Sequence, residues 1–136
     1  ARIVARRIRD GTEAWSTPAP ASFESGITPG AAGDDVAVVD HFGPVTVLDA
    51  ATGAVRARTE LDEPVLHTAV LLSRELVALT THQGAVTLID RSSGRLRYRG
   101  RLGGYPAAIA RSGPDLLVAV RLREPGRIES IPLPLH

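Results

Sequence analysis

Residues Val77–Leu102, VALTTHQGAVTLIDRSSGRLRYRGRL, restate residues Val36–Leu61, VAVVDHFGPVTVLDAATGAVRARTEL, at a constant offset of 41. Val36 aligns with Val77, His41 with His82, Gly43 with Gly84, Val45-Thr46 with Val86-Thr87, Asp49 with Asp90, Gly53 with Gly94, Arg56 with Arg97 and Leu61 with Leu102, without a gap. Such a period, made of short apolar runs separated by turn residues, confines the chain to stacked sheet units that bury their faces against one another. Helical repeats of similar length would instead space their apolar residues near 3.6.

Each unit reads as strands joined by turns. Val36–Asp40 is an apolar strand, His41 to Pro44 turns, Val45–Asp49 is the next strand, Ala50 to Gly53 turns again, and Ala54–Leu61 leaves on the outside. The following unit repeats this as Val65–Leu72, Leu76–Thr81, Ala85–Asp90 and Arg95–Leu102. A third begins at Tyr105, with Val118-Ala119 lying 41 beyond Val77-Ala78, and continues through Leu116–Leu122 and Arg127–Leu133. Ahead of them, Ile3–Ile8 and a strand through Trp15 flank a shortened Asp10-Gly11 turn. Thr17 to Gly33, rich in Pro, Gly and Ser, is mostly connection, with one short strand near Ala21–Glu24. The inner runs VAVV, LVAL and LLVAV are apolar throughout, as sheets covered on both faces require. The outermost strand alternates Arg95, Arg97, Arg99 and Arg101 with Leu96, Tyr98 and Leu102, which predicts one wet face.

Composition agrees with closely stacked sheets: 43% of residues are apolar but only 4% aromatic, so the core is built from Ala, Val, Leu and Ile. All 16 basic residues are Arg, and against 15 carboxylates they leave a net charge of +1. That balance argues against a nucleic-acid binder selected by charge. The absence of Cys removes disulfides and thiolate metal sites. No run of 18 apolar residues suggests a membrane helix. A chain opening on Ala and lacking Met reads as a processed piece or part of a longer polypeptide.

GPVTVLDAATGAVRA and GAVTLIDRSSGRLRY resemble the third and fourth strands of blades in the WD40 and quinoprotein-like (PQQ-type) β-propellers. The first of these families usually carries Trp before the Asp, where this chain has Leu48 and Ile89. The second carries Trp four residues after the turn Gly, a feature kept only from Gly11 to Trp15, with Ala57 and Tyr98 at the equivalent positions. The resemblance implies an all-β fold of antiparallel four-stranded blades arranged radially, with ligands met on the top or bottom face. About thirteen strands make three and a quarter blades, whereas closed rings need at least four. The expected division is outer strands of a first blade over 1–20, blades over 21–62 and 63–103, and an incomplete blade over 104–136. Missing sequence, a second copy or another chain would complete the ring.

No catalytic, cofactor-binding or metal-binding constellation emerges. The Asp-x-x-Thr/Ser-Gly elements, DAATG and DRSSG, are explained by turn chemistry: the carboxylate accepts backbone N–H groups and Gly takes the left-handed position. His41 and His82 occupy equivalent turns, too far apart for bonds of about 2 Å to one zinc ion. The Arg comb could grip an acidic partner, or it could protect an edge strand from unwanted pairing. Hydrolase motifs and phosphate-cradling loops are absent. The expected function is a non-catalytic module presenting rim loops to a protein partner, as scaffold or sensor of a larger protein, with His41, Phe42, His82, Gln83, Arg97, Arg99 and Arg123 as candidate contacts. No nucleic acid, membrane or cofactor is expected. Alternatives are a fragment of a quinone-cofactor oxidoreductase and a self-assembling half-ring.

Overall fold

The structure is a computed structural model in which residues 2–19, 30–32, 34–40, 44–71, 75–121 and 127–132 are described. For 30–32, 66–71, 107, 127 and 129 the description stops at the backbone. Four antiparallel meanders follow one another along the chain. The first pairs β1 (Arg2–Arg6) with β2 (Glu13–Pro18). The second orders β3 (Gly30–Ala32), β4 (Asp35–Val39), β5 (Val45–Asp49) and β6 (Val55–Thr59). The third orders β7 (Val65–Leu71), β8 (Leu76–Thr81), β9 (Ala85–Asp90) and β10 (Leu96–Arg101). The fourth contains β11 (Tyr105–Ser112), β12 (Asp115–Arg121) and β13 (Arg127–Pro132).

The period-2 geometry of a strand explains why β8 and β9 are apolar on both sides. Val77, Leu79 and Ile89 face the second sheet and share a core with Ala37, Val39, Val45, Val47 and Ala57. Their neighbours Leu76, Ala78, Val86 and Leu88 point the other way, into a core with Leu116, Val118 and Val120 of the fourth sheet. Sheets stacked face to face in this manner are the blades of a β-propeller. Each fully buried Leu or Val contributes about 1.5–3 kcal/mol of apolar transfer energy.

Three hairpins share one backbone. In β1–β2, β5–β6 and β9–β10 the register slips by one residue, leaving Ala14, Arg56 and Arg97 unpaired in the ladder as β-bulges. The turn glycines Gly11, Gly53 and Gly94 have φ of 75°, 76° and 73°, and each donates its N–H four residues back, to the carbonyls of Arg7, Asp49 and Asp90. Asp49 Oδ1 accepts the N–H groups of Ala51 and Thr52 at 2.8 and 3.0 Å, and Asp90 Oδ1 those of Ser92 and Ser93 at 3.0 and 2.9 Å. These bonds, led by Thr52 N–H for Asp49 and Ser93 N–H for Asp90, hold both carboxyls below the usual carboxylate range, Asp90 far below it. The bulged arginines close the arrangement, Arg56 at 2.5 Å from Asp49 and Arg97 at 3.2 Å from Asp90.

Three details differ from the sequence expectation. The first turn is full length: Arg7 stands where the others have Asp, Ala14 where they have the bulged Arg, and Asp10 caps Thr12 N–H at 3.0 Å instead. Gly30–Ala32, read as connection, forms β3 by pairing Gly30 with Ala37 and Ala32 with Asp35. Small residues give strand propensity no foothold, and here cross-strand pairing decides. The short strand near Ala21–Glu24 lies outside the described residues. Finally, β10 is exposed on both faces: Leu96 and Tyr98 are as open as the arginines between them.

Side chains crossing between sheets lock the stack. Trp15 on β2 lays its ring against Gly53 of the second sheet, where any Cβ would overlap it, and its Nε1 donates to the Ala50 carbonyl at 2.8 Å. One step on, Thr59 Oγ1 donates to the Gly94 carbonyl at 2.7 Å, and the Arg58 backbone passes so close that a Cβ at Gly94 would lie 2.9 Å from its oxygen. Beside it, buried Arg91 meets Asp35 of the second sheet at 2.9 Å, and Asp35 also meets Arg56 at 2.6 Å.

Candidate protein-docking face

One end of the stack gathers the β8–β9 turn and the links between successive sheets, whereas the Asp-Gly turns cap the other. Thr81–Gly84 forms a tight turn in which Gly84 N–H donates to the Thr81 carbonyl at 3.1 Å, with Gly84 at φ 84°. The turn is tied to both flanking links. His82 N–H donates to the Pro64 carbonyl at 2.9 Å, and Leu102 N–H to the Gly84 carbonyl at 2.8 Å. A Cβ at Gly84 would lie 3.2 Å from the Gly104 carbonyl oxygen, so the third link also presses on this turn.

On this scaffold the side chains divide into braces and free tips. Tyr105 Oη and His82 Nδ1 lie 3.3 Å apart, their rings edge to face at 6.1 Å. Tyr105 is nevertheless 43% exposed, and Gln83 points into solvent. Buried Glu63, in the link between the second and third sheets, receives Arg99 and, at 3.5 Å, Arg101. Exposed Asp62 takes the second arm of Arg99 at 2.9 Å. The Glu63 hydrogen bond, followed by that to Asp62, raises the Arg99 guanidinium above its ordinary pKa against the opposing effect of burial. Arg101 also donates to the Gln83 carbonyl at 3.2 Å. A pocket of about 200 Å³ opens beside this cluster, lined by Leu61, Glu63, Thr81, Thr87, Leu96 and Arg99 among others.

His82, Gln83 and Arg99 therefore belong to one neighbourhood. Arg97 does not: it sits at the opposite end of β10, on the Asp90 turn. His41, Phe42 and Arg123 lie outside the described residues. The Arg comb is largely neutralised, since Arg97, Arg99 and Arg101 each pair with a carboxylate. Sequence reasoning passed over Glu63, whose signal was an acidic Asp62-Glu63 pair in the link facing the next outer strand's arginines. Among the described residues no three His, Asp or Glu side chains gather as a metal site would require. No helix there is long and apolar enough to cross a membrane.

Comparison with known proteins extends these observations. BamB from Moraxella catarrhalis superposes with a TM-score of 0.74 at 23% identity, over 96% of this chain and 39% of that one. The C-terminal WD40 domain of Sif2 gives the same TM-score at 14% identity, over 96% of this chain and 37% of that one. At such identities the likeness concerns the fold, and this chain spans well under half of either structure. No curated protein sequence matches it. The sequence pattern of one family covers residues 1–127, and the chain therefore belongs to the family described as outer membrane protein assembly factor BamB, built of PQQ-like β-propeller repeats.

Proposed function

We propose that this chain is a non-catalytic docking segment of a larger propeller protein, acting as scaffold or sensor, and that it meets a protein partner with the end carrying Gln83, Tyr105, Arg101 and Asp62. The observation that carries the reading is the tethering of the Thr81–Gly84 turn to Pro64 and Leu102 by backbone hydrogen bonds while these side chains stay in solvent. Loops already fixed lose little conformational entropy when a partner arrives, so their contacts convert efficiently into affinity. A family description as an assembly factor, and a structural likeness to a WD40 domain, support protein binding over chemistry. His82 and Arg99 serve as braces in this proposal, holding Tyr105 and the Asp62-Glu63 link. His41, Phe42 and Arg123 join it on sequence register alone, and Arg97 as an outlying contact.

The test places a photo-crosslinking residue at Gln83 or, at the other end, at Ser92 of the full-length protein in its native cell. Discrete protein adducts are expected from position 83, lost when Tyr105→Ala and Arg101→Glu are combined. Adducts confined to position 92, or unaffected by the double substitution, would refute the assignment.

A further inference from the structure

The three equivalent hairpin turns differ in what covers them. The Trp15 ring lies over Gly53, and the Arg58 backbone with Thr59 lies over Gly94; in both cases the cover comes from the outer strand of the preceding sheet. The β1–β2 turn has the same backbone but is bare. Among the described residues no atom lies within 4 Å of where a Gly11 Cβ would stand. Ile8, which takes the position of Ala50 and Arg91, is 104% exposed, whereas Arg91 is 3% exposed and pinned to the preceding sheet. An isoleucine held wholly in water, on a turn whose counterparts are both covered, marks the accepting half of a sheet-to-sheet joint.

We infer that the Ile8–Gly11 turn is a docking seat for the outer strand of a further sheet of this same repeat, contributed by polypeptide outside residues 1–136. A second copy of the chain has no donor to offer. Trp15 and Thr59 are engaged inside the chain, and Tyr98, which follows Gly94 by four residues as Trp15 follows Gly11, is folded over its own Gly100, where a Cβ would overlap the phenol. The joints already present define the partner's chemistry. It is an outer strand with a flat aromatic ring four residues after its own turn glycine, whose ring N–H reaches the Ile8 carbonyl as Trp15 reaches that of Ala50. The solved relatives, of which this chain spans 39% and 37%, are long enough to hold such further sheets.

The chain has no cysteine, so Ile8→Cys introduces a single reporter thiol. Its alkylation rate is compared in the chain as it stands and in one extended at Ala1 by a copy of residues 1–42. The extension places a second Trp 38 residues before Gly11, the spacing from Trp15 to Gly53. The rate is expected to fall at least about tenfold on extension, as local protection by a formed joint requires, and to recover when the added Trp is replaced by Ala. In parallel, Ile8→Asp is expected to lower the urea midpoint of the extended chain and leave that of the unextended chain unchanged. An equal alkylation rate in both chains, protection that survives loss of the added Trp, or protection of the unextended chain that grows with its own concentration would each overturn the inference.

Discussion

The joint between the first and second sheets and the joint between the second and third present the same backbone to each other, yet different chemistry fastens them. At the first, one large ring does most of the work: Trp15 covers Gly53 and donates to Ala50. At the second the equivalent residue is Ala57, and the fastening is spread over Thr59, the Arg58 backbone, the Arg91–Asp35–Arg56 ion pairs and an aliphatic core. The repeat thus fixes where sheets meet, through turn glycines at positive φ, and leaves open what fills the joint.

Substitutions can break that contrast in order of expected effect. Trp15→Ala removes a half-buried ring and its hydrogen bond and should cost about 3 kcal/mol, within the range for large aromatic truncations. Trp15→Phe, which loses the donor and part of the ring, should cost roughly half as much, since a lost hydrogen bond is worth about 1 kcal/mol; urea titration measures both. At the second joint, Arg91→Ala should cost about 2 kcal/mol, less than a fully broken buried pair because Arg56 still faces Asp35. Combining it with Asp35→Leu should recover most of that loss, because no buried carboxylate then remains. Losses of equal size at both joints, with no recovery in the double variant, would erase the distinction.

The turns sharpen it at a smaller scale. Asp90→Asn should cost about 1 kcal/mol at neutral pH through weakened acceptance of the Ser92 and Ser93 N–H groups. The folded-state pKa of Asp90 is depressed, so its contribution is complete above the unfolded value of about 3.9 and fades as pH falls toward the folded one. The two proteins' stabilities should therefore converge below about pH 3, as pH-dependent urea midpoints would show. Asp10→Asn, in the turn where Asp accepts from Thr12 alone, should give the weaker pH dependence. Arg95→Ala, on the exposed edge strand, should change stability by less than about 0.5 kcal/mol.

Much of this stack is legible in the sequence because two nearly equal segments, Val36–Leu61 and Val77–Leu102, place both faces of every inner strand in apolar surroundings. The offset of Gly11 from Gly53 likewise placed the first hairpin in the series. Gly30–Ala32 was not legible, since a strand of Gly and Ala owes its existence to its neighbour's ladder. Nor was the role of the arginines: their spacing suggested a basic comb, and only the fold shows that Arg97 answers its own turn while Arg99 and Arg101 reach back to Glu63. At the docking face, His82 and Gln83 stood out as repeat positions, but the tethering of their turn to Pro64 and Leu102 depends on contacts across sheets that no local pattern encodes.

Trp15 is the only tryptophan, and it sits at the first joint, so its fluorescence reports directly on whether these sheets stand as one stack. The emission of the native chain should be shifted to the blue of an indole in water and should change in a single urea transition coincident with the far-UV circular dichroism. A water-like emission in native buffer, or a fluorescence transition completed before the loss of strand signal, would contradict the stack on which the docking face depends.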